Sequence, residues 1–512
     1  MIERVIVRRG AYHDSVTLML ASRDAASQDG VLEAFAVAST PLNLDLLARQ
    51  GFAAEEDLSP NDLVIAVRAD DEEAFSRALA AVDVRLAGTR DGGAGPEPPA
   101  PSIRAAARRR PSLNLAFVSV PGRHASYEIA SALDAGLNVF CFSDGVSPAE
   151  EAALKRRALA DGFLLMGADC GTAIIDGVAL GFANAVDRGP VGIVGASGTG
   201  IQEVACLLDQ AGVGISHAVG VGGRDLHDEV GGLMTLRAME LLAEDESTEV
   251  IAVVSKPPSQ RVARRVAEAA QRAGKPVVLG FTGLEAPSSE GGAEVVSTLY
   301  DTAVRAASLC GSTVPPGEVL PEQGVEEGGE QGDQAHPRTA SGSGYVRGLF
   351  SGGTLCSEAM AVLSERVGEI RSNVPLHPAW ALENVEEGSG HTFIDFGEDE
   401  LTQGRPHPMI DPTLRNERFD GEAQDPAVTA IVADVVLGYG AHPDPAGELA
   451  ARLSRISSPR RPVVIVALCG ARRDPQGLER QRRTLEEAGA VVVRSAHHAG
   501  ALAAAVVAGA GS

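Results

Sequence analysis

Short apolar runs of strand length alternate along this chain with longer stretches whose apolar residues recur every three or four positions. In residues 1–87, Val5–Val7, Leu32–Val37 and Leu63–Val67 read as strands, and Ser15–Ala26, Leu42–Gln50 and Glu72–Val82 read as helices. Farther on, Leu115–Val120, Asn138–Phe142, Val191–Val194, Val250–Val254 and Val277–Leu279 are nearly all apolar and alternate with helical patterns. Apolar strands spaced by amphipathic helices predict parallel, doubly wound sheets.

Two breaks in this pattern divide the chain. Residues 88–112 are rich in Gly, Pro, Ala and Arg, the composition of a linker, and residues 313–343 are richer still in Gly, Glu and Gln. The second stretch lacks the apolar residues needed to offset ordering entropy and is predicted to be disordered. The predicted domains are therefore 1–87, 113–187, 188–312 and 344–512.

The last two of these share an order of parts. In one copy a strand, turn and helix at 191–211 lead to Gly222-Gly223-Arg224-Asp225, then to Val250–Val254 and Lys275-Pro276-Val277-Val278. In the other, a strand, turn and helix at 345–366 lead to Gly404–Asp411, then to Asp425–Asp434 and Arg461-Pro462-Val463-Val464. Similar parts at similar spacing imply two copies of one domain, packed about a pseudo-twofold axis.

Both copies carry a glycine-rich turn between strand and helix: Gly195-Ala196-Ser197-Gly198-Thr199-Gly200 and Ser351-Gly352-Gly353-Thr354. Glycine lets backbone approach an anion, and a helix N-terminus supplies free amides and a favourable dipole. Ser197, Gly198, Thr199, Gly200, Gly352, Gly353 and Thr354 are thus the candidate phosphate-binding residues. A single turn of this kind also serves packing alone; two suggest helices aimed at one phosphate.

Composition narrows the partners. The chain has 512 residues, 44% hydrophobic but only 4% aromatic, so its cores must rest on Val, Leu, Ile and Ala. A formal charge of −25 argues against nucleic acid. Arg108, Arg109 and Arg110 form the one notable basic run and read as a solvated hinge. The six cysteines are scattered without metal-ligand spacing, so no metal is expected, and they read as reduced thiols. No signal-peptide pattern and no bilayer-length apolar run is evident, which points to the cytoplasm and away from membranes.

Ser119–Ile175 resembles the CoA-binding domain of the succinyl-CoA synthetase α subunit. The matching parts are Ala132–Gly136, Asp144–Ser147 and Met166-Gly167-Ala168-Asp169-Cys170-Gly171. Val191–Val254 resembles that subunit's ligase domain. Over essentially the whole chain the resemblance is to the FdrA family of synthetase-like proteins, through Asp14–Met19, Gly195–Glu203, Gly222–Leu226, Val254–Pro258 and the Pro-, Arg- and His-dense run Gly404–Asn416. It implies a CoA-binding-like Rossmann-type domain, two flavodoxin-like ligase domains and a small N-terminal α/β domain. It also implies acyl-CoA synthetase activity, or a subunit of oxamate carbamoyltransferase, which phosphorolyses oxalurate to oxamate and carbamoyl phosphate in purine catabolism.

Departures from the synthetase pattern weigh between these. The synthetase carries phosphoryl groups on a histidine, yet Glu285–Ala293 has none, and no histidine occurs from Asp228 to Gln334. Ser255-Lys256-Pro257-Pro258 replaces the acidic loop that supports the carrier, no ATP-grasp or Walker-type segment is present, and residues 1–110 replace the glycine-rich half of the CoA-binding domain. A retained phosphate site without a carrier favours acyl-phosphate chemistry, with phosphate or carbamoyl phosphate as ligand and CoA left open. Arg224 and Arg405 are candidates for holding a carboxylate or phosphoryl oxygen, and His407 for moving a proton with Asp411 fixing its tautomer. Arg405 and Asp411 equally fit a loop-closing salt bridge, and His407 between prolines fits a rigid turn. Asp169, Cys170 and Gly171 are the cofactor-binding candidates, with a buried structural thiol the favoured reading of Cys170. The expected partners are a small anionic substrate and other carbamoyltransferase subunits; a homo-oligomer and a non-catalytic scaffold stay open.

Overall fold

The computed structural model describes residues 1–11, 13, 15–53, 58–86, 99–283, 293–315, 344–386, 388–403, 405–456 and 461–509. Two units are distinguished: Met1–Ala100 with Gly397–Asp411, and Pro101–Phe396 with Pro412–Ser512.

The first unit holds an antiparallel three-stranded sheet in the order Ile2–Arg8, Leu63–Ala69, Val31–Ala38. Its central strand buries side chains on both faces, as period-two alternation requires. Leu63, Ile65 and Val67 pack with Leu18, Ala21, Phe75 and Ala78, while Val64 and Ala66 pack with Leu47 and Phe52. Thr40 caps the helix Pro41–Arg49 by accepting a bond from the Asn43 amide.

In the second unit, one sheet of seven strands runs Glu294–Val296, Val277–Phe281, Val250–Ser255, Arg188–Gly195, Ile215–Gly220, Thr172–Ile175, Val178–Gly181. The first five are mutually parallel. A sheet of six parallel strands runs Val491–Val493, Val463–Cys469, Val428–Val436, Tyr345–Phe350, Thr392–Asp395, Arg371–Ser372. The five parallel strands of the first domain, numbered within it, therefore lie in the flavodoxin order 2-1-3-4-5, and the second domain repeats that order once its two-residue edge strand Arg371–Ser372 is set aside. The repeat inferred from the sequence is a repeat of topology. The strand Val428–Val436 is buried at all nine positions, and helix Gln260–Arg272 buries Val262, Val266, Ala267 and Ala270 along one stripe.

A third parallel sheet comprises Leu115–Val118, Asn138–Cys141 and Leu165–Met166. The sequence division at 187 and the sheet division differ. The hairpin Thr172–Gly181 adds antiparallel strands to the seven-stranded sheet, through Ala218 opposite Ile174, because Ala173 and Ile174 need a buried face. Within the 88–112 stretch, Ile103–Arg109 is a helix capped by Ser102, with Ile103 and Ala107 packed on the core and Arg108 and Arg109 in its last turn. Residues 88–98 and 316–343 of the two expected linkers lie outside the described residues, as do 285–292 of the Glu285–Ala293 stretch.

Candidate functional site

The switch point of each flavodoxin-type sheet is the carboxyl end of its first strand, where strand order reverses and ligands bind. From these two points start the helices Gly198–Gln210 and Gly353–Val367, here called the seat helices. Ser197 caps the first: its Oγ accepts from the Gly200 amide at 2.9 Å and lies 2.6 Å from Thr354 Oγ1. A side chain on Gly352 would enter Thr199, whose atoms lie 2.7–2.9 Å from the Cβ position. Glycine at 352 thus lets the two helix ends meet. The amides of Gly198 and Thr199, and of Gly353 and Thr354, have no acceptor within their own helices.

One buried group is aimed at this convergence. Thr172, 1% exposed, has no hydrogen-bond partner for Oγ1, which lies 3.1 Å from the Cβ position of Gly198. A buried hydroxyl left unsatisfied is costly unless something completes it.

The second turn is held from beneath by Asp434. Its carboxylate accepts from the Ser351 amide at 2.8 and 3.0 Å and the Gly352 amide at 2.9 Å. Arg415 donates to Ser351 Oγ at 2.9 Å, to the Asp434 carbonyl at 2.8 Å and to its Oδ1 at 3.2 Å. Burial pushes the Asp434 carboxyl up and the Arg415 guanidinium down, and their pairing opposes both shifts. Neither role was read from the sequence, because the bonds span the domain.

One turn inside each seat helix stands a glutamate, Glu203 and Glu358. Both are buried, and desolvation raises both carboxyl pKa values, Glu358 to about 7. The signal for them is in the sequence: Thr199 and Thr354 are each followed four residues later by glutamate.

The remaining sequence candidates, Gly171 apart, make their contacts elsewhere. Arg224 donates to the Val146 carbonyl at 2.8 Å and pairs with Glu151 at 3.2 Å. Its neighbour Asp225 bonds buried Lys155, itself paired with Glu151, at 2.7 Å each. This network pins the Gly222–Asp225 loop to helix Pro148–Ala160. Asp169 takes a left-handed φ of 56°, and Gly222 fits against the Ala168 carbonyl only because it lacks a Cβ. Cys170 is a buried thiol, pushed up to about 12 by desolvation, and Gly171 adjoins Gly198. In the first unit, Arg405 donates to Asn43 Oδ1 and the Leu42 carbonyl, both at 3.1 Å. The Met409 amide donates to His407 Nδ1 at 3.2 Å, which places a neutral ring's proton on Nε2, and burial lowers this histidine to about 4. The Asp411 amide donates to the His407 carbonyl. The site residues thus fall into three groups: Ser197, Gly198, Thr199, Gly200, Gly352, Gly353 and Thr354 together, with Gly171 beside Gly198; Arg224, Asp169 and Cys170 around the Gly222–Asp225 loop; and Arg405, His407 and Asp411 in the other unit.

Paired flavodoxin-type domains joined at their switch points define a protein of the CoA-ligase class. Family models agree: one described as CoA-ligase matches residues 349–506, one described as CoA binding domain matches 187–283, and one described as AllF, heavy metal-associated domain, matches 1–99. The chain is 39% identical to YahF of Escherichia coli (strain K12) over 98% of both chains, and it belongs to that family of succinyl-CoA-synthetase-like proteins. It is 31% identical to succinate–CoA ligase subunit alpha 1 of Archaeoglobus fulgidus over 33% of this chain, and spans 58% of that subunit's length. Malate–CoA ligase subunit alpha of Methylorubrum extorquens is 30% identical over 40% of this chain and 71% of its own. A solved acetyl-coenzyme A synthetase from Ca. Korarchaeum cryptofilum overlaps 78% of this chain and 83% of its own at 15% identity and a TM-score of 0.31.

The name of the N-terminal family implies a soft metal, which the donors here do not fit. Residues 1–99 contain no cysteine and one histidine, His13, and no metal-holding cluster occurs among the described residues. For CoA, the converging groups Ser197, Thr199, Thr172 and Thr354 fit one phosphoryl group. At the start of helix Gly122–Asp134, the Asp144 carbonyl occupies the place of a Gly122 side chain, so only glycine fits there.

Proposed function

We propose that this chain is a phosphate- and acyl-phosphate-handling subunit of a CoA-ligase-type enzyme. The observation that carries the reading is the meeting of two helix N-termini at Ser197 and Thr354, with the unsatisfied Thr172 hydroxyl beside them. Two dipoles and several free amides aimed at one point concentrate positive potential without a net cationic surface, which an acidic chain needs in order to hold an anion. The Ser197 and Thr354 hydroxyls then turn toward phosphoryl oxygens, and the amides of Gly198, Thr199, Gly353 and Thr354 donate to them. When CoA is bound, its thiol supplies an acceptor for the activated acyl group.

A second reading, carbamoyl transfer of the FdrA type, is favoured by the histidine-free stretch from Asp228 to Gln334. Phosphate held at the seat attacks the ureido carbonyl carbon of oxalurate, the C–N bond breaks, and the leaving nitrogen takes a proton to give oxamate and carbamoyl phosphate. Positioning and charge stabilisation carry such a reaction without a covalent enzyme intermediate. No step is assigned to Arg224 or Arg405, whose donors are directed at protein acceptors. The proposal includes a cytoplasmic setting and further subunits; the succinate– and malate–CoA ligase relatives are named as alpha subunits, and no described helix is long and apolar enough to cross a membrane.

Calorimetry with inorganic phosphate, carbamoyl phosphate and CoA tests the seat. Binding of phosphate that Gly198→Val abolishes, with the fold intact, supports it; unchanged affinity in that variant overturns it. Assays of oxalurate phosphorolysis and of acyl-CoA formation, alone and with products of neighbouring genes, separate the two readings.

A further inference from the structure

Glu203 and Glu358 lie four residues beyond Thr199 and Thr354, which on a helix places them about 6 Å below the seat on the same face. They are 1% and 0% exposed. Each spends Oε1 on the other domain's last helix: Glu203 accepts from the Ala496 amide at 3.0 Å, and Glu358 from the Leu299 and Tyr300 amides at 2.6 and 3.2 Å. This exchange is reciprocal, one glutamate from each domain capping the closing helix of its twin. Their Oε2 oxygens are buried without a donor from any other group, and the two carboxyls face each other within hydrogen-bonding reach. Two carboxylates have no hydrogen to share, so a bond between them requires one proton.

We propose that Glu203 and Glu358 hold a single shared proton as a carboxyl–carboxylate pair, which clamps the two seat helices together and keeps their N-termini converged. The surroundings act in both directions. Asp301 adds negative charge near the pair, while the amides of residues 299, 300 and 496 stabilise its one charge. Nearby at the last helix, His497 and His498 pack against Tyr300, and burial keeps both rings neutral, so they supply no compensating cation. Desolvation and mutual repulsion therefore favour keeping the proton to a higher pH than a lone carboxyl would.

The clamp deepens the phosphate-seat reading, since it positions the helix ends, but the proton itself is independent of any ligand. Infrared spectroscopy of the full chain, with carboxyl carbons isotopically labelled in glutamate, reads it directly. A protonated-carboxyl band at neutral pH that disappears on alkaline titration is expected, and it should vanish in Glu203→Gln and in Glu358→Gln. Thermal unfolding should show wild-type stability falling as pH rises through that titration, because the native state holds a proton the unfolded chain has lost. In either Gln variant this slope should flatten, since the amide donates permanently to the remaining carboxylate. A wild type without the band, or a band that survives in both variants, overturns the proposal. A band with the expected behaviour in a protein that binds no inorganic phosphate keeps the clamp and removes the seat.

Discussion

Ser197 Oγ and Thr354 Oγ1 lie 2.6 Å apart although 157 residues separate them in the chain. This contact exists because two copies of one topology place their switch points face to face, and because residue 352 has no side chain. Replacing Gly352 with Ala drives a Cβ into Thr199, whose atoms lie 2.7–2.9 Å from its position. Overpacking of that kind costs about 1–3 kcal/mol. We expect a lower unfolding temperature and weaker phosphate binding, with stability partly restored by Thr199→Gly, which removes the colliding atoms. Full phosphate affinity in Gly352→Ala alone would show that the helix ends need not touch.

Asp434 and Arg415 make a second prediction. The pair is buried, 0% and 4% exposed, and the carboxylate also holds the Ser351 and Gly352 amides. Asp434→Asn leaves a buried guanidinium without its counter-charge, a loss of about 3–5 kcal/mol. Urea unfolding should show the midpoint fall with little change in slope. A midpoint within error of wild type would mean that water reaches Arg415.

These two residues also mark what the sequence conceals. The glycine turns, the hydroxyls beside them and the repeat are legible because strand-turn-helix chemistry is local, and the structure places those parts where the pattern predicts. In the sequence Asp434 stands only as the last residue of the repeat segment Asp425–Asp434; its service to an amide 82 residues away depends on which strands become neighbours. Arg405 reads as a site residue in a dense motif, yet its guanidinium meets Asn43, 362 residues away, in the first unit. The hairpin Thr172–Gly181 falls within the predicted domain 113–187 yet pairs with a strand of the next one, and nothing in its local pattern records the sheet it joins. Side-chain partners at long sequence separation are fixed by packing, which a single chain's periodicity does not encode.

Acid should destabilise the protein through its neutral histidines. Burial lowers His407 and His498 to about 4, below the ordinary value of 6.5. A depressed histidine binds fewer protons folded than unfolded, so its contribution is present above pH 6.5 and lost as pH falls toward 4. The Glu203–Glu358 pair acts with the opposite sign, because its raised carboxyls favour folding at low pH and lose that contribution as pH rises. In His407→Asn, the Oδ1 can keep the Met409 amide bond while removing one titrating group. Stability measured by denaturant between pH 4 and 6.5 should rise with pH less steeply in this variant than in wild type. An unchanged slope would mean that His407 titrates normally.

The last prediction concerns energy input. The chain is expected not to become phosphorylated on histidine and not to hydrolyse ATP or GTP by itself. No histidine occurs from Asp228 to Gln334, the stretch where the synthetase-type carrier falls, and His217 and His227 precede it. In the second half, His498 shares a 2.6 Å hydrogen bond with Ser495, and both His497 and His498 pack on the Tyr300 ring, which opposes the swing a carrier makes between sites. His407 is flanked by Pro406 and Pro408, which restrict its backbone in the same way. The energy for turnover should come from the acyl-phosphate or ureido bond of the substrate, or from a partner subunit's nucleotide site. Incubating the purified chain with radiolabelled nucleotide, then testing the label's stability in acid and base, decides the matter. Unlabelled protein is the expected result, whereas acid-labile, base-stable label would make this chain a phosphoryl carrier after all and require a histidine outside the expected position.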